Sequence, residues 1–179
     1  MSTLSKWSID PTHSEVSFKI KHLMITNVKG VFKTYEANIV TTGDDFMTAE
    51  IDFSLDPSSI DTGNTDRDTH LKAPDFFDVD NHKQITFTAN TYENVDNDGS
   101  YELWGDLTIK GITKRIKLDV EFGGVAKDPW GNTKAGFTIN GKINRKDWGL
   151  TWNAALEAGG VMLSEDVKIS CDIQLVKTA

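Results

Sequence analysis

The residues best able to do chemistry lie between Thr62 and His82, where His70 and His82 stand among Asp66, Asp68, Asp75, Asp78 and Asp80. Imidazole and carboxylate are common ligands of first-row metals. The spacing, however, matches neither the His-Glu-x-x-His helix of metalloproteases nor a calcium loop. Solvated loop acids account for the same residues, and no metal is expected. Arg67 and Arg145 carry planar forks suited to an anionic head group. Each could equally pin its own loop through an ion pair with Asp68, Asp147 or another acid. The single cysteine, Cys171, has no intramolecular disulfide partner. It falls on the apolar parity of its segment and reads as a buried, inert thiol, since a reactive one needs an exposed electropositive setting. No nucleophile elbow, paired catalytic spacing or nucleotide-binding loop occurs. The expectation is a protein that is not an enzyme and has no cofactor, the alternative being an enzyme that acts on an apolar substrate through His22 or the acids of the Thr62–His82 stretch.

The elements that would position these groups are mostly strands. Phe18, Ile20 and His22 alternate with Ser17, Lys19 and Lys21, as a half-buried antiparallel strand requires. Tyr35, Ala37 and Ile39 continue more loosely, with Phe32 on the polar parity, which predicts a bulge near Gly30. Met47, Ala49, Ile51, Phe53 and Leu55 share a face until Asp56-Pro57 ends the strand. Leu107 and Ile109 face one way and Lys110 the other; Gly111 then turns the chain into Ile116, Leu118, Val120 and Phe122, a long hairpin. Asn97-Asp98-Gly99 is a further turn signal. Phe137, Ile139 and Ile143 alternate with Thr138, Asn140 and Lys142. Val167, Ile169, Cys171, Ile173 and Leu175 form the last strand. Trp148 and Trp152 either line an interior or plug one end of it.

The Thr62–His82 stretch breaks this alternation and reads as a lid. Thr65 and Asp68 have capping-box spacing, so a short helix should begin at Thr65. Ala73-Pro74 stops it, because a residue before proline is pushed out of the helical region. Leu71, Phe76 and Phe77 then need an apolar surface to sit on, since so short a helix is unstable alone.

Repeated strand signals with one helix argue for an antiparallel barrel or sandwich, between which periodicity alone does not choose. The 179 residues suffice for a single domain, with one core spanning 1–179. A net charge of -8 repels phosphate backbones and disfavours nucleic acid. No stretch approaches the roughly 18 apolar residues of a membrane span. The N-terminal residues contain no apolar signal core, so a cytoplasmic chain is expected, or a periplasmic one if an export segment has been removed.

Seven stretches in order resemble the YceI-like family of lipocalin-like, polyisoprenoid-binding proteins. They are Trp7 to Ser14; Phe18 to His22 with Gly30-Val31-Phe32; Ser59 to Asn64; Arg67 to Leu71; Asp75 to Asp78; Gly105 to Gly111; and Ile143 to Gly149. The resemblance implies an all-β fold, a single extended eight-stranded antiparallel barrel with a short helical lid and an apolar channel for a long isoprenoid or similar lipid. In many members it comes with dimerisation. With the channel supplied by the resemblance and orientation by the alternation, the expected lining is Phe18, Ile20, Ile51, Phe53, Leu107, Ile109, Phe137, Ile139 and Ile143, with Phe76, Phe77, Trp148 and Trp152 towards the ends. His22, Arg67 and Arg145 are the candidates for the polar head.

Overall fold

The computed structural model describes residues 3–94, 100–154, 156 and 162–179. Its strands are β1 (Leu4–Ile9), β2 (Glu15–His22), β3 (Thr26–Phe32), β4 (Tyr35–Thr42), β5 (Asp45–Leu55), β6 (Ile60–Asp61), β7 (Ile85–Asn94), β8 (Ser100–Ile109), β9 (Ile112–Lys127), β10 (Thr133–Asn144) and β11 (Leu163–Lys177), with one α-helix, α1 (Thr65–Lys72). The order β1-β4-β5-β7-β8-β9-β10-β11 closes on itself, because β1 pairs with both β4 and β11. All the pairings are antiparallel, and the result is an eight-stranded barrel.

β11 is longer than its partner β1. Leu175 pairs with Ile9, but Asp172 to Leu163 pair with β2, which in turn carries β3 and then β6. β1 and β2 are therefore two halves of one wall strand, and β3 and β4 are two halves of its antiparallel neighbour. The first break is a 3-10 turn at Pro11–His13, capped by Asp10, whose Oδ1 accepts from Thr12 N at 3.0 Å. The second is at Lys33 and Thr34, whose backbone N–H groups leave the ladder and donate to Ser59 Oγ at 3.1 and 3.0 Å. This corrects the bulge expected near Gly30. Phe32 is inward because the strand is interrupted after it, and Gly30 remains in register opposite Phe18. The Phe18 ring lies over Gly30, where a Cβ would collide with it.

A second correction falls at the start of β5. Phe46 is buried and Met47 exposed, the reverse of the expected parity. The register shifts between Val40 and Thr42, where Thr42 N donates to the Thr48 side chain at 2.7 Å. One bulge inverts the faces on either side of it. The β8–β9 hairpin turns through Lys110 (φ 52°) and Gly111 (φ 74°), the left-handed pair that suits a two-residue hairpin. The Asn97-Asp98-Gly99 turn lies outside the described residues.

The helix starts where expected but is capped differently. Asn64, extended at φ -142°, accepts from Arg67 N at 3.0 Å and is the N-cap. Asp68 reaches past it, taking Thr62 N and Oγ1 at 2.9 and 2.6 Å. Ala73 ends the helix, and Phe77 N and Val79 N fold back onto Leu71 O and Lys72 O. Lys110, expected on the face opposite Leu107 and Ile109, donates from Nζ to Pro74 O at 3.1 Å and ties the lid to the β8–β9 turn.

Candidate functional site: the barrel interior

The interior contains a cavity of about 370 Å³ that runs along the barrel, from Leu175 and Phe46 near one end to the lid at the other. That volume is within the range of small-molecule sites, about 300–1,000 Å³. Its wall is built by the period-two rule: every second side chain of a strand points inward. Phe18, Ile20, Ile51, Phe53, Leu107, Ile109, Phe137, Ile139 and Ile143 all reach it. Several of them, including Phe18, Ile51, Phe137 and Ile139, point inward and pack on the core yet are only half-buried, because part of each borders the cavity.

At the end formed by β1, β4 and the start of β5, the interior is filled. Trp7, 1% exposed, meets Phe46 in a tilted pair at 4.9 Å, and Phe46 meets Phe122 and Phe137 at 5.5 and 4.9 Å. The indole N–H donates to Thr41 Oγ1 at 2.9 Å, and that hydroxyl donates to Gly43 O at 2.6 Å, so a fully buried polar pair is satisfied. Outside this plug, Lys134 Nζ meets Asp10 Oδ2 at 2.6 Å, which with Thr12 and His13 holds the Asp10 carboxyl far below the usual range.

The opposite end is covered by the lid and by residues 149–154. Phe76 is buried and Phe77 half-buried against Phe32, at 5.8 Å between rings, and both line the cavity. His70 stands edge-on to Phe76 and Trp152 at 5.1 and 4.9 Å, and its Nε2 faces Asp75 at 3.2 Å. That is the ring's sole hydrogen bond among the described residues. Also among them, no group of three or more His, Cys, Asp or Glu side chains converges as metal ligands.

Both candidate arginines reach the cavity, but neither makes an ion pair among the described residues. Arg67, exposed on α1, donates from Nε to Thr62 Oγ1 and from Nη2 to Thr62 O, each at 2.7 Å. Arg145 is 2% exposed. It begins a 3-10 turn, Arg145–Trp148, at the end of β10. Its Nε donates to Ser164 O at 2.9 Å, and its Nη1 donates to Leu150 O and Trp152 O at 2.6 and 2.8 Å. Three backbone carbonyls thus replace the carboxylate. Nη2 is buried with no hydrogen-bond partner among the described residues. Burial pushes the guanidinium pKa below its ordinary value, with Glu165 acting in the other direction.

His22 lies on the cavity wall near the lid end, half-buried, its ring without a hydrogen-bond partner among the described residues. Trp152 also lines the cavity, whereas Trp148 does not. β9 and β10 pair from Thr133 to Asn140 and then splay. Trp148 sits at that split beside Ile116 and Gly141, its N–H given to Leu107 O at 2.9 Å. The turn has replaced strand alternation by three-fold spacing, so parity with the strand no longer places it. Cys171 also borders the cavity, and burial raises its thiol to about 11. The sequence reading did not pick out Phe46, Val28, Thr62 or His70 as lining residues. Phe46 was hidden by the bulge opposite the start of β5, Val28 lies in regular register opposite Ile20 in a segment where no alternation is read before Val31, and Thr62 and His70 lie outside any period-two pattern.

The family model described as YceI-like domain matches residues 7–175. A UPF0312 protein of Staphylococcus epidermidis is 42% identical over 173 residues, covering 96% of this chain and 97% of that protein. A YCEI protein of Campylobacter jejuni has a solved structure with 38% identity and a TM-score of 0.74, over 90% of this chain and 91% of that one. A domain from Saccharophagus degradans, described as a polyisoprenoid binding domain implicated in plant cell wall breakdown, shares the fold: its TM-score is 0.68 at 15% identity, over 96% of this chain and 98% of that one.

Proposed function

The chain belongs to the YceI-like family, and on the geometry of its interior we propose that it binds a long-chain isoprenoid or similar amphiphilic lipid for carriage, storage or buffering. The observation that carries this reading is the apolar cavity that the inward side chains leave along the barrel. A filled core would have buried Ile51, Phe137 and Ile139 against their neighbours. The Saccharophagus degradans likeness concerns the fold; the ligand class rests on the cavity.

The tail occupies the apolar wall and the polar head lies at the lid end. Each methylene gains about 0.8 kcal/mol on leaving water, but a tail drawn from a bilayer has already gained most of that. Exchange between the two is close to balanced, as carriage requires. The head meets His22 and Arg145, whose Nη2 is a buried donor without a partner among the described residues. A buried unmatched donor costs about 1–3 kcal/mol, which an acceptor on the ligand would recover.

Mass spectrometry of an organic extract of the purified protein, followed by delipidation and titration with farnesol, undecaprenol and dansyl-undecanoate, tests the reading. A stoichiometric intact lipid, or saturable uptake of one of these, is expected. Ile139→Arg should abolish uptake, because an unpaired cation in an apolar site is far more costly than a lost methyl contact. Lys142→Ala, on the outer face, should not change it. Failure of the wild type to take up any of the three probes, with no lipid in the extract, overturns the proposal, and chemical conversion of a probe favours an enzyme.

A further inference from the structure

The tip of the β2–β3 hairpin is built against ordinary preference. Leu23 and Met24 occupy the two central positions with φ of 54° and 62°. Ile25 N closes this turn on His22 O at 3.2 Å, and a hairpin turn with both central residues left-handed favours Asn-Gly or Asp-Gly, since a larger side chain is strained there. With Ile25, which is 78% exposed, they form a run of three exposed apolar residues. Such a run on a projecting tip has no role in the core.

The charge around it is equally unusual for this chain. The protein carries 27 acidic residues, yet none lies between Val16 and Tyr35, a stretch that contains Lys19, Lys21, Lys29 and Lys33. Lys29 and Lys33 are paired with Glu15 and Asp61. Lys19, Lys21 and Lys168, the last opposite Lys19 across the β2–β11 ladder, form no ion pair among the described residues. The nearest acids on β11, Glu165 and Asp166, are matched to Lys146 and Lys142. A net-acidic protein thus presents a cationic strip beneath an apolar tip. The same hairpin borders the cavity: Ile20, His22 and Val28 line it, and Leu23 N is bonded at 2.7 Å to the carbonyl of Met162, another lining residue.

We propose that this tip docks on the surface of an anionic bilayer, Leu23, Met24 and Ile25 entering the headgroup layer while Lys19, Lys21 and Lys168 face lipid phosphates. Apolar side chains flanked by lysines bind such interfaces through both terms together. Docking brings the His22–Met162 side of the cavity to the membrane, so an apolar chain can pass between the two without crossing water. The transfer role rests on the lipid-binding reading above; the docking itself does not.

The test is flotation with phosphatidylglycerol-containing and pure phosphatidylcholine vesicles, using the full chain. The comparison variant, Leu23→Asn/Met24→Gly/Ile25→Thr, installs the preferred turn pair and so removes the apolar tip while favouring the hairpin. Wild type should bind the anionic vesicles in a salt-sensitive way. The tip variant, and separately Lys19→Glu/Lys21→Glu/Lys168→Glu, should bind about tenfold or more weakly, the scale of a loss near 1.4 kcal/mol. Transfer of dansyl-undecanoate from anionic vesicles should slow in parallel, with its uptake from ethanol dispersion unchanged in the tip variant. Equal vesicle binding by wild type and tip variant, or a tip variant that changes only self-association in sedimentation, overturns the proposal, the second outcome assigning the tip to another copy of the chain. Vesicle binding without uptake from dispersion by the wild type would refute the lipid-binding reading and leave the docking surface standing.

Discussion

The two ends of the barrel solve the same problem differently. At the Trp7 end, side chains from β1, β4, β5, β10 and β11 interdigitate, and the buried indole and Thr41 hydroxyl satisfy each other. At the lid end, the cover is made of chain segments laid across the opening, and the buried cation beneath them has three carbonyl partners and one nitrogen without any. The first arrangement is a core. The second is a cover seated by Phe76 and Leu150, which are buried in the main core, and tied down by individual hydrogen bonds, among them Lys110 to Pro74 and Asp68 to Thr62.

The largest effect expected from this contrast is at the plug. Trp7→Ala should lower stability by about 3–5 kcal/mol, the usual range for a fully buried aromatic, read as a lower urea midpoint. Uptake of dansyl-undecanoate by the protein that remains folded should be little changed. At the lid end, Arg145→Met removes three hydrogen bonds from a charged group and should cost about 2–3 kcal/mol. It should also weaken a fatty acid more than the corresponding alcohol in paired titrations; equal loss for both would confine Arg145 to holding the loop. On the wall between the ends, Ile139→Ala should cost about 1–2 kcal/mol, less than the 2–5 of a filled core, because this side chain already borders the cavity. A cost equal to that of Trp7→Ala would erase the distinction between plug and wall.

The smallest effect is electrostatic. The Asp10 carboxyl is depressed in the folded state by Lys134, Thr12 and His13. Its contribution is therefore present above the unfolded value, about 4, and is lost as pH falls below that towards the folded value. Lys134→Ala should flatten the acid limb of stability against pH without changing its level of ligand uptake. A limb unchanged by this substitution would show that Asp10 is not coupled to folding.

Much of this fold is readable from strand parity. Phe137, Ile139 and Ile143, or Ile116 to Phe122, need nothing more than alternation to be placed inward. Parity failed where hydrogen bonds interrupt the ladder. Ser59, some twenty-five residues away, takes the N–H groups of Lys33 and Thr34, and so decides which way Phe32 points. Thr48 does the same for Phe46. The helix signal at Thr65 was right in position but wrong in its cap, since Asn64 and Thr65 are both good capping residues and only the chain path chooses between them.

By itself, then, the sequence determined most of the antiparallel strands, the helical lid between Leu55 and the strand near Gln84, and the apolar identity of the wall, because these follow from local chemistry: alternation at a fixed period, and the stretch that breaks it. Tertiary structure decided what no local pattern carries. It split β11 between β1 and β2, placed Trp148 at the parting of β9 and β10 rather than on the cavity, and gave Arg145 carbonyl partners in place of an acid. It also left the interior unfilled. Whether inward side chains meet across a barrel depends on strand number and tilt, which set its width, and not on the identity of any one of them.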